Sequence, residues 1–137
     1  MKIIIKTDLN GRINFVNKGF EKATFFARKN VVNGNFWNLI DLCFDSRTIE
    51  EMKKYLFNGK IYRGVIALRA NMENGIVYLE YEITPIDREG NVIDGILRNG
   101  EVDGFMFYGR KTEDIDKIIK MTNLKECIER RVFYKTA

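Results

Sequence analysis

The chain has 137 residues, 45% of them hydrophobic and 31% charged, and its 23 lysine and arginine residues outnumber its 19 aspartate and glutamate residues. This composition predicts one soluble domain with a packed core and excludes a disordered chain. No run approaches the roughly 20 apolar residues that a membrane-spanning helix needs. Charges at Lys2, Lys6 and Asp8 come too early for the apolar region of a signal peptide.

Histidine is absent from the sequence. Its absence excludes histidine-ligated haem, most zinc sites and any nucleophile that needs a histidine base. The two cysteines, Cys43 and Cys127, have neither the spacing of a metal site nor the number that a disulfide framework needs. We therefore expect two reduced thiols and a cytoplasmic protein.

The first 17 residues predict a β-hairpin. Residues 3–5 are three isoleucines, which favour a short buried strand. Residues 8–11 (Asp-Leu-Asn-Gly) are typical of a tight turn, because Asn-Gly tolerates positive φ. Residues 12–16 then alternate in the manner of a returning strand.

Residues 18–58 favour helices separated by turns. Phe20, Ala23 and Thr24 suggest a short helix, and Asn30 and residues 33–34 (Asn-Gly) interrupt the pattern. Apolar residues at helical spacing predict two further helices. The first stripe is Phe36, Leu39, Ile40 and Cys43, and the second is Ile49, Met52 and Leu56.

Strands return after residue 60. Residues 62–70 and 76–86 flank a turn ending in Asn74-Gly75, and residues 104–109 are an aromatic strand. Residues 92–97 could add a short strand. The clearest alternation predicts a sheet that is covered on one face: Val77, Leu79, Tyr81 and Ile83 alternate with Tyr78, Glu80, Glu82 and Thr84.

A final helix is predicted from residue 114 onward, which completes the order β-β-α-α-α-β-β-β-α. This grouping of strands and helices predicts an antiparallel α+β domain. Residues 110–137 hold eight basic and five acidic residues, so most of the net positive charge lies in the tail. Because the two signs alternate along the predicted helix, we expect a solvated helix face and no nucleic-acid binding.

Several stretches, in this order, resemble successive motifs of one family, the PAS (Per-Arnt-Sim) domains. They are residues 7–17 (TDLNGRINFVN), 31–40 (VVNGNFWNLI), 59–64 (GKIYRG), 74–75 (NG), 84–86 (TPI) and 110–113 (RKTE).

The resemblance implies a five-stranded antiparallel sheet with short helices covering one face. It places a PAS-like domain at residues 1–113, with an insertion at about residues 88–103 before the last strand, and a C-terminal helix or tail at residues 114–137. It also implies a sensory or regulatory module of signal transduction. Such a module binds a small ligand in the cup between sheet and helices and relays its state through dimerisation or the C-terminal helix.

The residues expected around the ligand follow from this resemblance and from strand alternation. Trp37 could stack on a ligand ring, and Asn35, Asn38 and Arg63 could hydrogen-bond it. The walls of the cup are expected to be Ile66, Leu68, Leu79, Tyr81, Ile83, Met106 and Tyr108. The family register points Phe105 and Phe107 outward, where they would form a dimer interface together with Ile118 and Met121.

The identity of a ligand stays open at this stage. Haem is not expected, because haem-binding members of the family typically use an axial histidine. The blue-light flavin subgroup uses a cysteine in an Asn-Cys-Arg-Phe motif, whereas residues 35–38 read Asn-Phe-Trp-Asn. A non-covalent flavin or another small apolar or aromatic ligand is compatible with the sequence.

Three alternatives accompany this interpretation. The first is a ligand-free dimerisation or protein-interaction module whose cup is filled by Trp37, the phenylalanines and Tyr81. The second is an enzyme on a similar fold that uses Asp41, Asp45, Glu80 or Glu82. No nucleophile elbow, phosphate loop or metal cluster supports that second alternative, so we expect no enzymatic activity. The third is nucleic-acid binding through the basic tail.

The expected partners are a small molecule, a second copy of the chain and a downstream signalling protein. The sequence contains no recognisable kinase, cyclase or DNA-binding segment, so any output would pass through a partner or another region.

Overall fold

The computed structural model describes residues 2–40, 46–57, 60–72, 75–89, 102–114 and 116. The elements are β1 (Lys2–Asp8), β2 (Ile13–Val16), α1 (Lys18–Thr24), α2 (Arg28–Val31), a 3-10 helix (Phe36–Leu39), α3 (Ser46–Phe57), β3 (Tyr62–Arg69), β4 (Ile76–Ile86) and β5 (Gly104–Lys111).

The five strands form one sheet with the spatial order β2-β1-β5-β4-β3. Every neighbouring pair in the sheet is antiparallel. The last strand therefore lies at the centre of the sheet, between β1 and β4. This arrangement confirms the predicted α+β class and the five-stranded antiparallel sheet with helices on one face.

The opening hairpin turns because Asp8 organises its backbone. The Asp8 carboxylate accepts hydrogen bonds from the backbone N–H groups of Asn10 and Arg12, each at 2.9 Å. Gly11 has a φ of 85°, a conformation that glycine adopts without steric cost. The turn predicted at residues 8–11 is confirmed.

Asn17 attaches the first helix to the first strand. Its side-chain oxygen caps α1 by accepting from the N–H of Phe20 at 2.9 Å and also accepts from the N–H of Ile4 at 3.0 Å. Its amide group donates to the carbonyl of Lys2 at 2.9 Å. The Asn17 side chain thus accepts a hydrogen bond from a backbone N–H of α1 that has no partner within the helix, and it fixes where α1 crosses β1.

The second predicted helical stripe is confirmed, and the first is shorter than predicted. Met52 and Leu56 of α3 are fully buried. The helix that begins at Phe36 is a single 3-10 turn and ends at Leu39, and Ile40 instead pairs as an isolated bridge with Leu68 of β3. Cys43 lies outside the described residues.

The core lies between the inner face of the sheet and the helices. Its largest fully buried side chains come from both layers, with Phe20, Met52 and Leu56 on the helical side. On the sheet side they are Ile3, Ile5, Ile13, Ile66, Leu68, Leu79, Ile83 and Phe107.

The predicted orientation of β5 is wrong. Phe105 and Phe107 are buried, whereas Met106 is half-buried and Tyr108 is 38% exposed. Phe107 lies opposite Ile5 of β1 and Ile83 of β4, which both point inward. Because side chains directly opposite each other share a face, this register turns the two phenylalanines into the core.

Parts of the predicted organisation fall outside the described residues. They include the carboxylates of Asp41 and Asp45, the possible strand at 92–97 with most of the insertion, and the C-terminal helix with Ile118 and Met121. Among the described helices, none combines the length and apolar character needed to span a membrane.

Candidate functional site

The interior of the cup contains a connected group of aromatic rings. Phe107 stacks on Tyr81 with ring centroids 5.3 Å apart and planes 11° apart. Phe36 packs against Phe107 at 5.5 Å, and Trp37 meets Phe36 edge-on at 5.2 Å. Tyr62 extends the group at its other end, 6.3 Å from Tyr81. The aromatic group (Trp37, Phe36, Phe107, Tyr81 and Tyr62) thus joins the helical layer to β3, β4 and β5.

Tyr81 is the one described ionisable group in this interior whose protonation is strongly perturbed. Burial raises the pKa of the Tyr81 phenol far above its ordinary value, and the neighbouring Tyr62 adds to the effect. The phenol is therefore neutral at physiological pH, and its face is available for ring stacking rather than for acid–base chemistry.

A small apolar cavity lies at the Trp37 end of the aromatic group. It has a free volume of about 10 Å³ and is lined by Thr7, Phe36, Trp37, Ile83, Phe105 and Phe107. A cavity of roughly 10–15 Å³ holds a single water molecule. Side chains therefore fill this part of the interior except for a space that can hold about one water molecule.

Trp37 covers this cavity from the helical side and is itself half-buried. Its indole packs against Gly11 in the β1–β2 turn, so closely that a side chain at position 11 would collide with the ring. The Lys53 ammonium lies 5.1 Å from the ring centroid, within the range of a cation–π contact. Trp37 thus connects the first hairpin, the 3-10 helix and α3.

The polar residues predicted to contact a ligand do not meet inside the cup. Asn35 is exposed and caps the 3-10 helix by accepting from the Trp37 N–H at 2.9 Å, and Asn38 is also exposed. Arg63 lies on the outer face of the sheet, where it pairs with Glu82 at 3.0 Å. Its predicted place in the cup is wrong, because the register that pairs Arg63 with Glu82 points both side chains away from the core.

The predicted apolar walls divide into two groups. Ile66, Leu68, Leu79, Tyr81 and Ile83 are all buried on the inner face, as predicted. Met106 and Tyr108 point away from the cup, and Phe105 and Phe107 take their place as its wall on β5. The last two are therefore unavailable as the dimer interface predicted from the sequence.

Three residues that the sequence analysis did not assign to the site contribute to it. Thr7 and Phe36 line the cavity, and Lys53 covers the Trp37 ring. The alternation of β1 places Thr7 on the same face as Ile3 and Ile5, so the sequence pattern of this strand was enough to predict Thr7 in the site. The position of Lys53 depends on how α3 packs, which the sequence pattern does not specify.

Of the four carboxylates considered for catalysis, the two that the structure describes, Glu80 and Glu82, lie outside the cup. Glu80 pairs with Arg110 at 3.1 Å and Glu82 pairs with Arg63 at 3.0 Å, both on the outer face of the sheet. In the part of the chain that the structure describes, no group of three or more acidic, cysteine or histidine side chains is placed to hold a metal ion.

Comparisons with known proteins agree with this architecture. No protein-family model matches the sequence. Among curated proteins, the chain is similar to hybrid signal transduction histidine kinase L of Dictyostelium discoideum, with 34% identity over 79 residues. The match covers 58% of this chain, which spans only 4% of the length of that kinase.

Solved structures with the same fold cover most of the chain. A PAS domain of a protein from Colwellia psychrerythraea is 22% identical with a TM-score of 0.63, over 81% of this chain and 86% of the other. The LOV domain of a blue-light activated histidine kinase from Erythrobacter litoralis is 17% identical with a TM-score of 0.63, over 80% of this chain and 94% of the other. The chain therefore has the PAS fold, which confirms the resemblance seen in its sequence at the level of the fold.

Proposed function

We propose that the chain is a regulatory PAS module of a signal-transduction protein and that its cup is filled by its own aromatic side chains. In this proposal the module passes a signal through contacts with other protein surfaces. The fold and the similarity to a segment of a signalling kinase support the first part. The packing of the aromatic group supports the second.

The observation that carries the proposal is the stack of Tyr81, Phe107 and Phe36. These rings pack against one another inside the cup, and two of them, Phe36 and Phe107, line a cavity of about 10 Å³. A flavin ring held against Trp37 would have to displace Phe36 and Phe107. Because each buried aromatic side chain removes on the order of 150–250 Å² from water, displacing two of them would cost several kcal/mol.

Native mass spectrometry of the freshly purified full-length chain, with a visible absorption spectrum, tests this proposal. We expect the mass of the polypeptide alone, or of a whole-number oligomer of it, and no absorption band in the visible range. Additional mass that is released on denaturation, or a flavin spectrum, would contradict a self-filled cup and leave the PAS fold in place.

A second candidate function is a sensor of small molecules, and the cavity beneath Trp37 favours it. Trp37 is half-buried and lines the cavity, so its movement would widen the cavity toward the surface. In this candidate, binding of a small apolar molecule shifts the population of Trp37 and α3 conformations.

Thermal stability in the presence of indole separates the two candidates. A self-filled cup predicts no stabilisation of the wild-type chain, but stabilisation of a Phe107→Ala variant whose new cavity can accept the probe. A sensor with a pre-existing pocket predicts stabilisation of the wild type that Trp37→Ala abolishes. Phe25→Ala serves as the control for loss of an aromatic ring, because Phe25 is 59% exposed.

Three further properties belong to the proposal. We expect no catalytic activity of this module, because Glu80 and Glu82 are each engaged by an arginine on the outer face. We expect it to act inside the cytoplasm. Dimerisation remains a prediction, and light scattering on the full chain over a range of concentrations would measure it.

A further inference from the structure

The outer face of β1 and its neighbours carries an unusual set of cations. The side chains of β1 alternate between buried and accessible, so that Lys2, Ile4, Lys6 and Asp8 share the outer face, and the Asp8 carboxylate accepts hydrogen bonds from the backbone of the β1–β2 turn. Ile4 lies opposite Tyr108 of β5, and Lys6 lies opposite Phe15 of β2. The residues of three adjacent strands thus form one continuous surface.

Three cations on this surface lie near an aromatic ring. The Lys2 ammonium is 5.8 Å from the centroid of the Tyr108 ring. The Lys6 ammonium and the Arg28 guanidinium are 5.7 and 5.4 Å from the centroid of the Phe15 ring. We call this set the basic aromatic face and define it as Lys2, Lys6, Phe15, Arg28 and Tyr108.

The cations of the basic aromatic face have no acidic partner among the described residues. Elsewhere on the outer face, Glu80 pairs with Arg110 and Glu82 with Arg63. The nearby carboxylate of Glu21 accepts a hydrogen bond from the backbone N–H of Arg28 and forms no ion pair with its guanidinium. On the outer face, Arg63 and Arg110 are thus paired with glutamates across β3, β4 and the end of β5, whereas Lys2, Lys6 and Arg28 in the half formed by β1 and β2 have no ion pair among the described residues.

The surrounding residues make this half suitable for a partly apolar partner. Ile4 and Met106 are half-buried and lie between the cations on the same face. Unpaired like charges on one surface repel each other, and an oppositely charged partner would relieve that repulsion.

Charge argues against two occupants that belong to this chain. Residues 115–137 contain six basic and three acidic residues, so the tail would be repelled by a positive face. A second copy docked face to face by a two-fold axis would bring the same positively charged patch of both copies together.

A nucleic acid is also a poor match for this surface. Single-stranded nucleic acids bind to aromatic side chains whose faces are open to stack on bases. The ring of Phe15 already lies within cation–π distance of two cations and that of Tyr108 within reach of a third. The engaged rings hold cations in place and favour the recognition of carboxylates over base stacking.

We propose that the basic aromatic face is a docking site for an acidic, partly apolar segment of another protein. Carboxylates of that segment pair with Lys2, Lys6 and Arg28, and its apolar side chains pack on Ile4 and Met106. This inference goes beyond the proposed function and is independent of it, because the outer face is separated from the contents of the cup by the sheet.

Binding of a labelled acidic peptide to the full-length chain tests the proposal. The probe is a fluorescein-labelled peptide in which glutamates flank two leucines, and the comparison probes are the same peptide with glutamine for glutamate and an oligothymidylate. Fluorescence anisotropy at low salt should show binding of the glutamate peptide and none of the glutamine peptide.

Two charge-matched triple variants locate the binding site. Lys2→Gln/Lys6→Gln/Arg28→Gln removes the cations of the face and should raise the Kd by about tenfold, which corresponds to three exposed ion pairs of modest strength. Lys18→Gln/Lys22→Gln/Lys54→Gln removes three exposed cations from α1 and α3 and should leave the Kd nearly unchanged.

The results that overturn the proposal are equally specific. Equal weakening of peptide binding in both triple variants would show a general charge effect. Absence of peptide binding to the wild-type chain would show that the face is no docking site. Tighter binding of oligothymidylate that depends on the same three cations would assign the face to nucleic acid. If the first triple variant fails to fold, Lys2→Gln/Arg28→Gln changes only exposed residues and tests the same face. Because the three probes bind outside the cup or not at all, the outcome is separable from that of the mass-spectrometry test.

Discussion

The buried phenol of Tyr81 makes the stability of the protein depend on alkaline pH. Burial raises the pKa of Tyr81 in the folded state, whereas in the unfolded chain it ionises at its ordinary value of 10.0. The contribution of Tyr81 to stability is thus fully present below pH 10 and decreases as the pH rises above it. The expected slope is about 1.4 kcal/mol per pH unit.

Urea denaturation below and above pH 10 measures this dependence. We expect Tyr81→Phe to flatten the loss of stability at high pH, since phenylalanine keeps the ring stack and removes the proton. Tyr108→Phe is the matched control and should retain the steep decrease. A wild-type chain and a Tyr81→Phe variant with the same alkaline profile would show that Tyr81 is accessible to solvent.

Gly19 is required where α1 approaches β1. A Cβ atom at position 19 would collide with the backbone carbonyl of Lys2, which has no flexible end that could move aside. Alanine is the better helix former by about 1 kcal/mol, so propensity alone predicts that Gly19→Ala stabilises the protein.

The collision should outweigh that gain, and we expect Gly19→Ala to lower the free energy of unfolding by about 1–3 kcal/mol in chemical denaturation. Gly64→Ala is the control, because its Cβ would meet Tyr81 at 3.5 Å, an ordinary contact. A Gly19→Ala variant as stable as the wild type would mean that α1 does not press on β1 at this point.

At the scale of elements, Asn17 joins a helix to a strand with three hydrogen bonds. We expect Asn17→Ala to cost about 1–2 kcal/mol of stability, at the upper end of N-cap losses because the bonds to β1 are lost as well. Asn14→Ala, at an exposed position of β2, should change stability by less than about 0.5 kcal/mol. Similar losses in both variants would contradict this role of Asn17.

The orientation of β5 is tested by two neighbouring truncations. Phe107→Ala removes a fully buried ring and should cost about 3–5 kcal/mol, whereas Tyr108→Ala removes a partly exposed ring and should cost about 1 kcal/mol or less. Denaturation midpoints of the two variants give the comparison. The reverse order of losses would restore the orientation that the sequence resemblance implied.

The difference between β4 and β5 shows what an amino-acid pattern can determine. In β4, Leu79, Tyr81 and Ile83 alternate with two glutamates, and because a strand has a period of two, the buried face followed directly from the pattern. In β5, residues 105–108 are all apolar or aromatic, and the charges of Arg110 and Lys111 fall on opposite faces. Only pairing with β1 and β4 decides which face of β5 is inside.

The candidate site was predictable to a similar degree. The aliphatic walls of β3 and β4 followed from alternation, and the Asp-Leu-Asn-Gly turn followed from turn chemistry. The cation above Trp37 did not, because it depends on a contact between elements that are distant in the sequence. The alternation that turns Ile66 and Leu68 inward also places Arg63 on the outer face, so the ligand contact predicted for Arg63 conflicted with the pattern of its own strand. The insertion and the C-terminal helix lie outside the described residues, so the predictions made for them stand as predictions.

For the whole molecule, the two faces of the sheet have separate roles in this account. The inner face and the helices enclose an aromatic core, in which Phe36, Trp37 and Phe107 help to line a cavity of about 10 Å³. The outer face carries the basic aromatic face beside two arginine–glutamate pairs. The PAS fold accommodates both arrangements, since it fixes the positions of strands and helices and leaves their side chains to determine function.

The most direct test of the filled cup is a nuclear Overhauser spectrum of the full-length chain as purified, with phenylalanine and tyrosine rings isotope-labelled. The account predicts cross-peaks from the Phe107 ring to both the Phe36 and the Tyr81 rings, whose centroids lie 5.5 and 5.3 Å from it. Loss of both cross-peaks, with new ones from these rings to a co-purified small molecule, would contradict it.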